Sequence, residues 1–222
     1  MKSLKMAAGA AALVFATPAF AAPLISFNSF EVPSLGTGSG AYRYFLQPGG
    51  GFPGVPNGFT PIPGVTFTGA SGIQANGSAW GFTAAPNGVQ TAFIQSYNGV
   101  GGAISIALNG LIAGHTYKVS FAAAQRPGYG VNPFTVGVTG GALGSFSTAS
   151  TAWTTYTTSF VAGGTTDTLT FRGSAIPGDS GFGLDAITVA VPEPATWALL
   201  ILGFGTLGAA LRRRQPRGVS LA

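Results

Sequence analysis

Gly178-Asp179-Ser180-Gly181 sets a serine in a glycine turn, where it could serve as the nucleophile of a hydrolytic site. A serine nucleophile also needs a histidine base that a carboxylate orients. The sequence holds one histidine, His115, in Gly114-His115-Thr116-Tyr117 at the start of a predicted strand. A turn serine and a strand-edge histidine fit that context better than a triad. Cysteine is absent, which removes thiol catalysis and thiolate metal sites. Glycoside hydrolysis needs two carboxylates flanking a cleft. Between residues 22 and 191 the acids are Glu31, Asp167, Asp179 and Asp185, with no His/Asp cluster to hold a catalytic metal. The chain is expected not to be an enzyme.

Recognition is the chemistry that these residues support. Sugar binding combines an aromatic platform for the apolar face of a pyranose with planar polar groups for its hydroxyls. The loop 125–132 supplies Gln125, Arg126, Tyr129 and Asn132 where a predicted strand ends. Arg126 is expected to hold sugar hydroxyls and Tyr129 to offer its ring, neither contributing much to stability. Gly128 and Gly130 leave the backbone free to bring that ring outward. Trp80, Tyr97 and Trp153 are further aromatic candidates; Trp80 and Trp153 each head a strand-like run, which favours packing.

Such loops need a rigid scaffold, and the composition points to strands. Of 222 residues, 36 are Gly and 15 are Pro, which weaken helix interiors. Strand candidates fall at 24–32, 65–69, 79–83, 89–96, 102–109, 116–124, 134–138, 153–161, 167–172 and 183–190. In 154–160 and 168–171, large residues alternate with Thr or Ser, the period of a half-buried strand. Pro86-Asn87-Gly88, Asn98-Gly99, Asn109-Gly110, Gly140-Gly141 and Gly163-Gly164 mark turns between them. The stretch 33–64 reads as loop. An all-β sandwich or jelly roll is the expected fold.

The net charge of +5 would suggest a nucleic-acid partner if it were spread over a surface. It is confined to the ends. Lys2 and Lys5 open the chain, and Arg212, Arg213, Arg214 and Arg217 close it. Between residues 22 and 191, Arg43, Lys118, Arg126 and Arg172 balance the four acids, so no phosphate-tracking stripe exists and nucleic acid is not an expected partner.

Both ends read as addresses. Residues 1–21 combine Lys2 and Lys5, an apolar run over 6–16, and Ala19-Phe20-Ala21, the pattern of a signal peptide cut after Ala21. That segment implies a Sec-type translocon and signal peptidase as partners. At the other end, Pro192-Glu193-Pro194 precedes Ala195-Thr196-Trp197-Ala198, an apolar stretch to Leu211, and the arginines. As a helix, 195–211 measures about 25 Å, enough to span with snorkelling arginines. Cationic flanks stay on the cytoplasmic side, which places the rest of the chain across the inner membrane. Gly203-Phe204-Gly205-Thr206-Leu207-Gly208 fits a dinucleotide-binding pattern, but inside an apolar span its small residues serve helix packing instead.

This tail resembles the PEP-CTERM sorting signal in its Trp-Ala variant, with Pro192, Glu193, Pro194, Trp197, Ala198, Arg212, Arg213 and Arg214 as its landmarks. The resemblance implies an exosortase that processes the tail over 192–217 in a Gram-negative bacterium making extracellular polysaccharide. It casts this chain as cargo, held in the inner membrane with its domain in the periplasm, then surface-located or extracellular.

The middle, 22–191, is similar to the galactose-binding-like jelly roll of many carbohydrate-binding modules. The likeness rests on Asn28-Ser29-Phe30-Glu31, 75–80, 90–95, 111–124 and Gly183-Leu184-Asp185-Ala186-Ile187-Thr188-Val189. It implies that Glu31 and Asp185, from opposite chain ends, lie close together and hold a structural Ca2+, with carbonyls and water completing the shell. Two functions remain open: binding of an extracellular polysaccharide, or a structural matrix role without a specific small ligand.

Overall fold

The computed structural model describes residues 25–27, 30–44, 62–191 and 203–206. The signal segment 1–21 and the tail landmarks Pro192, Glu193, Pro194, Trp197, Ala198, Arg212, Arg213 and Arg214 lie outside those residues. Of the tail, a helical turn at 203–206 is described. Among the described residues no helix is long and apolar enough to cross a membrane. The chain divides into a unit spanning Ala22–Pro192 and a second made of Met1–Ala21 with Glu193–Ala222.

The first unit is a jelly-roll β-sandwich of two antiparallel sheets. In chain order its strands are β1 (Ile25–Phe27), β2 (Tyr42–Tyr44), β3 (Val65–Thr68), β4 (Ser71–Ala75), β5 (Gln90–Tyr97), β6 (Val100–Gly101) and β7 (Ala103–Asn109). They continue with β8 (Thr116–Gln125), β9 (Phe134–Val138), β10 (Gly141–Phe146), β11 (Thr154–Val161), β12 (Thr166–Gly173) and β13 (Asp179–Ala190). The larger sheet runs β11-β8-β13-β5-β4-β2, with β1 beside the end of β13 and β6 beside β5. The smaller runs β10-β9-β12-β7-β3.

Period-two alternation fills the space between the sheets. Tyr117, Val119, Phe121 and Ala123 of β8 meet Ile104, Ile106 and Leu108 of β7 and Leu169 and Phe171 of β12 in one buried cluster. Phe134 stacks on Phe182 at 4.2 Å between ring centroids. Strand β13 needs one correction of phase to join that core. Phe182 and Leu184 point inward, and so do Ile187 and Val189, although 184 and 187 differ by an odd number. A register shift between Asp185 and Thr188, with Ala186 at φ 49°, inserts the extra residue. The bulge resets the alternation and returns Ile187 and Val189 to the core, while Asp185, next to inward-facing Leu184, faces the other way.

Among the described residues four strands lie where none was expected, β2, β4, β6 and β10, and one expected strand is not formed. Residues 79–83 are turn and loop. Trp80 and Phe82 are buried there, against the outside of the larger sheet and not between the sheets. An aromatic pair spaced by two mimics a strand, but here both rings cap a sheet face.

Candidate functional site

The outer face of the larger sheet carries a second apolar layer. Trp80, Phe82, Phe93 and Ala124 form its buried part, with Tyr42, Tyr44 and Trp153 packed around them. Trp80 stacks on Phe93 at 3.7 Å, Tyr44 meets the same ring edge-on at 4.9 Å, and Phe82 lies 5.7 Å from Trp153. Glycines in β13 make the room. A Cβ at Gly183 would come within 2.6 Å of Trp153 and 3.1 Å of Phe82. The segment that delivers Trp80 is pinned at its start, where Ser78 donates to Gln74 Oε1 and Gln74 donates to Thr91, both at 2.6 Å.

A polar relay crosses one end of this layer. The Tyr44 hydroxyl donates to Gln95 Oε1 at 2.6 Å, and Gln95 Nε2 donates to Asp179 Oδ1 at 2.6 Å. Asp179 in turn faces Arg126, with Nη1 3.4 Å from Oδ2. Above and below the guanidinium lie two rings, Trp80 at 4.1 Å and Tyr129 at 3.6 Å from centroid to Cζ. Burial pushes the Tyr44 phenol up to about 12, with Arg126 lowering it and Asp179 raising it, so Tyr44 remains a donor at physiological pH.

The loop 125–132 is built around that guanidinium. Arg126 N donates to Gly181 O at 3.0 Å, and Gln125 Nε2 donates to Tyr129 O at 2.7 Å, closing the turn. Gly128 takes the positive φ of 79° that the turn requires. Tyr129 stays 40% exposed while Arg126 is only 9% exposed, its Nε buried without a partner. The expectation that Arg126 reaches out to ligand therefore gives way to a supporting position beneath Tyr129. Asn132 is set apart from both. It is 1% exposed, accepts from Ser174 N at 2.9 Å, and lies beside Gly173 inside the sandwich. Trp80 and Trp153 belong to the aromatic layer, and Tyr97 is exposed at the end of β5.

Tyr44, Gln95 and Asp179 complete the site without having been expected there. The alternation Tyr42-Arg43-Tyr44 was the available signal, obscured by its position within a Gly/Pro-rich stretch. No nucleophile is assembled from Ser180 and His115. The Gln125 end of β8 lies beside Phe182, near Ser180, while His115 precedes Thr116 at the other end. Nine strand steps of about 3.3 Å separate them by roughly 30 Å. Ser180 is itself buried.

Glu31 and Asp185 come together as a clasp on one turn. Glu31 Oε1 accepts from Val89 N and Gln90 N at 2.8 Å, and Asp185 Oδ2 accepts from Asn87 N at 2.9 Å. Gly88 sits between them because a Cβ there would lie 2.2 Å from Glu31 Oε1. Burial raises the Asp185 carboxyl from 3.8 to about 6; bonds from Asn87 and Ala186 oppose the shift, and the Glu31 charge adds to it. Its Oδ1 is buried without a partner. Two carboxylates and an orphaned oxygen fit a hard cation. Among the described residues no third acid or histidine joins them, so carbonyls and water would supply the other ligands.

Among curated proteins no sequence matches this chain. Solved structures similar to it include the Stig cyclase Fisc from Fischerella sp. TAU, at 13% identity and TM-score 0.44 over 63% of this chain and 91% of that one. A xylan-binding domain from Paenibacillus barcinonensis aligns at 12% identity and TM-score 0.43, over 60% and 88%. The cleaved adhesin domain of Lys-gingipain from Porphyromonas gingivalis aligns at 15% and 0.46, over 60% and 93%. Residues 190–214 match the PEP-CTERM protein-sorting motif. That motif marks an exported protein, anchored in the membrane before exosortase processing.

Proposed function

We propose that this protein is a non-catalytic, exported carbohydrate-binding module that uses the outer face of its larger sheet to hold a neutral polysaccharide. The observation that carries this reading is the exposed Tyr129 ring lying on a buried, ion-paired guanidinium, with Asp179 and the Tyr44 phenol on the same face. A ring fixed in this way loses little side-chain entropy when a pyranose stacks on it. Asp179 and Tyr44 supply hydrogen-bonding groups for hydroxyls. Because the bases and acids of 22–191 cancel, long-range attraction to acidic polymers contributes little.

The layout suits display. Strand β13 starts at Asp179 in the site and ends at Ala190, where the sorting motif begins. Twelve extended residues separate the site from the chain's exit by roughly 35–40 Å. In this reading a Ca2+ held by Glu31 and Asp185 stiffens the turn at 87–90 and takes no part in ligand contact. After the tail is processed, the domain belongs to the cell surface or the surrounding matrix, beside the cell's own polysaccharide. A glycan array probed with the full chain tests the reading. Signal on neutral glycans that Tyr129→Ala abolishes supports it, and an array blank for every glycan overturns it.

A further inference from the structure

Among the described residues β11 and β2 end the larger sheet's strand order and β10 and β3 the smaller's, and three of these four are blunted against further pairing. Strand β2 is three residues long and carries Arg43, and β3 is four residues long. Strand β10 is interrupted by a register shift between Ala142 and Gly144. Short length, charge and bulges are the usual protections of an exposed edge. Strand β11 has none of them. It pairs with β8 without interruption from Thr154↔Ala123 to Val161↔Thr116. Its eight residues, Thr-Thr-Tyr-Thr-Thr-Ser-Phe-Val, include no charge, Pro or Gly.

The strand is also anchored from within. Tyr156 stacks on Phe121 at 5.6 Å and Phe160 on Tyr117 at 5.6 Å, while Thr158 donates to Leu143 O at 3.3 Å. On its far side, every second residue turns its N–H and C=O away from β8. Among the described residues no backbone hydrogen bond is made to that side of 154–161.

We infer that β11 pairs antiparallel with β11 of a second copy of this chain, joining the two larger sheets into one. The occupant follows from self-complementarity. An uncharged strand meets its own copy without repulsion, and a two-fold axis lets both copies use the same edge. Side-chain faces must match across the axis, so it passes through a residue and not between two. Centred on Thr157, the pairing sets Thr157 opposite Thr157, Thr155 opposite Ser159, and Val161 opposite Trp153. That register gives Val161, 63% exposed in one copy, an apolar neighbour. Strand β11 runs parallel to β13, since both are antiparallel to β8. In the pair the two β13 strands therefore run in opposite directions, and the two chains leave at opposite ends. Such a pair suits molecules already released from their tails, and it would turn two Asp179 ends apart to engage two polymer strands.

The chain has no cysteine, so a single introduced one reports cleanly. Thr157 and Thr135 are both exposed, Thr135 on the other sheet. With the full chain in detergent, Thr157→Cys should cross-link to a dimer on mild oxidation at least tenfold more than Thr135→Cys. By light scattering, the parent chain should be dimeric, and Thr157→Lys and Thr157→Glu should each be monomeric. Mixing the two charged variants should restore the dimer. Equal cross-linking at both positions, or a Thr157→Lys variant with the parent's mass, would overturn the inference. Neither readout depends on glycan binding, so the pairing and the glycan site fail separately.

Discussion

The guanidinium of Arg126 lies 3.6 Å from the centre of the Tyr129 ring, and in the proposed binding mode that contact decides which of the two residues would meet a ligand. Arg126 is enclosed by Trp80, Tyr129 and Asp179, whereas Tyr129 is 40% exposed. In that proposal the arginine positions the platform, and the tyrosine is the platform.

Arg126→Ala should consequently lower both stability and binding. It removes two cation–ring contacts and an ion pair and leaves a gap between the rings. A loss of about 1–3 kcal/mol is expected. Arg126→Lys keeps the charge but not the planar group that fills the space between the rings, so it should recover part of the stability and less of the binding. Thermal melts with parallel binding assays check this. A melting temperature unchanged in Arg126→Ala would place the side chain in solvent.

The clasp on residues 87–90 predicts a pH dependence that a cation reverses. The Asp185 carboxyl is raised from 3.8 to about 6 in the folded state, so the folded protein binds its proton more tightly than the unfolded chain does. Stability from this group is therefore present at acid pH and is lost as pH rises from about 4 through about 6. The loss is on the order of 2–3 kcal/mol. In chelator, Asp185→Asn should melt above the parent at pH 7.5 and alongside it near pH 4. Saturating Ca2+ should raise the parent's Tm at pH 7.5 and leave Asp185→Asn unmoved. A parent whose Tm ignores both chelator and Ca2+ would remove the cation from the account.

Processing at the two ends is tested by mass. The mature N-terminus should be Ala22, read by N-terminal sequencing of protein from membrane or medium. Replacing Pro192, Glu193 and Pro194 with alanine should leave a membrane-bound chain with its tail intact in a host that has exosortase. An identical C-terminal mass for the mutant and the parent would reduce the tail to an anchor.

The fold was legible where alternation is strict. β7, β8, β9, β11 and β12 fall within a residue or two of their expected bounds because apolar and polar residues alternate over most of their lengths. The site was legible only in part, for a physical reason. Its aromatics lie on the outside of a sheet, so Trp80 and Phe82 carry the signature of a core strand while occupying a loop. Arg126 and Tyr129 could be named from their loop. Asp179, Gln95 and Tyr44 could not, because they reach Arg126 through pairings between β2, β4, β5 and β13 that join positions far apart in sequence. The proximity of Glu31 to Asp185 was carried by resemblance, and the bulge at Ala186 that returns Ile187 and Val189 to the core had no local signal.

Affinity electrophoresis of the parent, Tyr129→Ala and Thr135→Ala through gels containing neutral polysaccharide tests whether Tyr129 carries glycan binding. At least one polymer should retard the parent and Thr135→Ala equally. Tyr129→Ala should migrate as if the polymer were absent, with its melting temperature within a few degrees of the parent. Because neutral contacts release few ions, the retardation should change little between low and moderate salt. Retardation of Tyr129→Ala equal to that of the parent would move binding off this face.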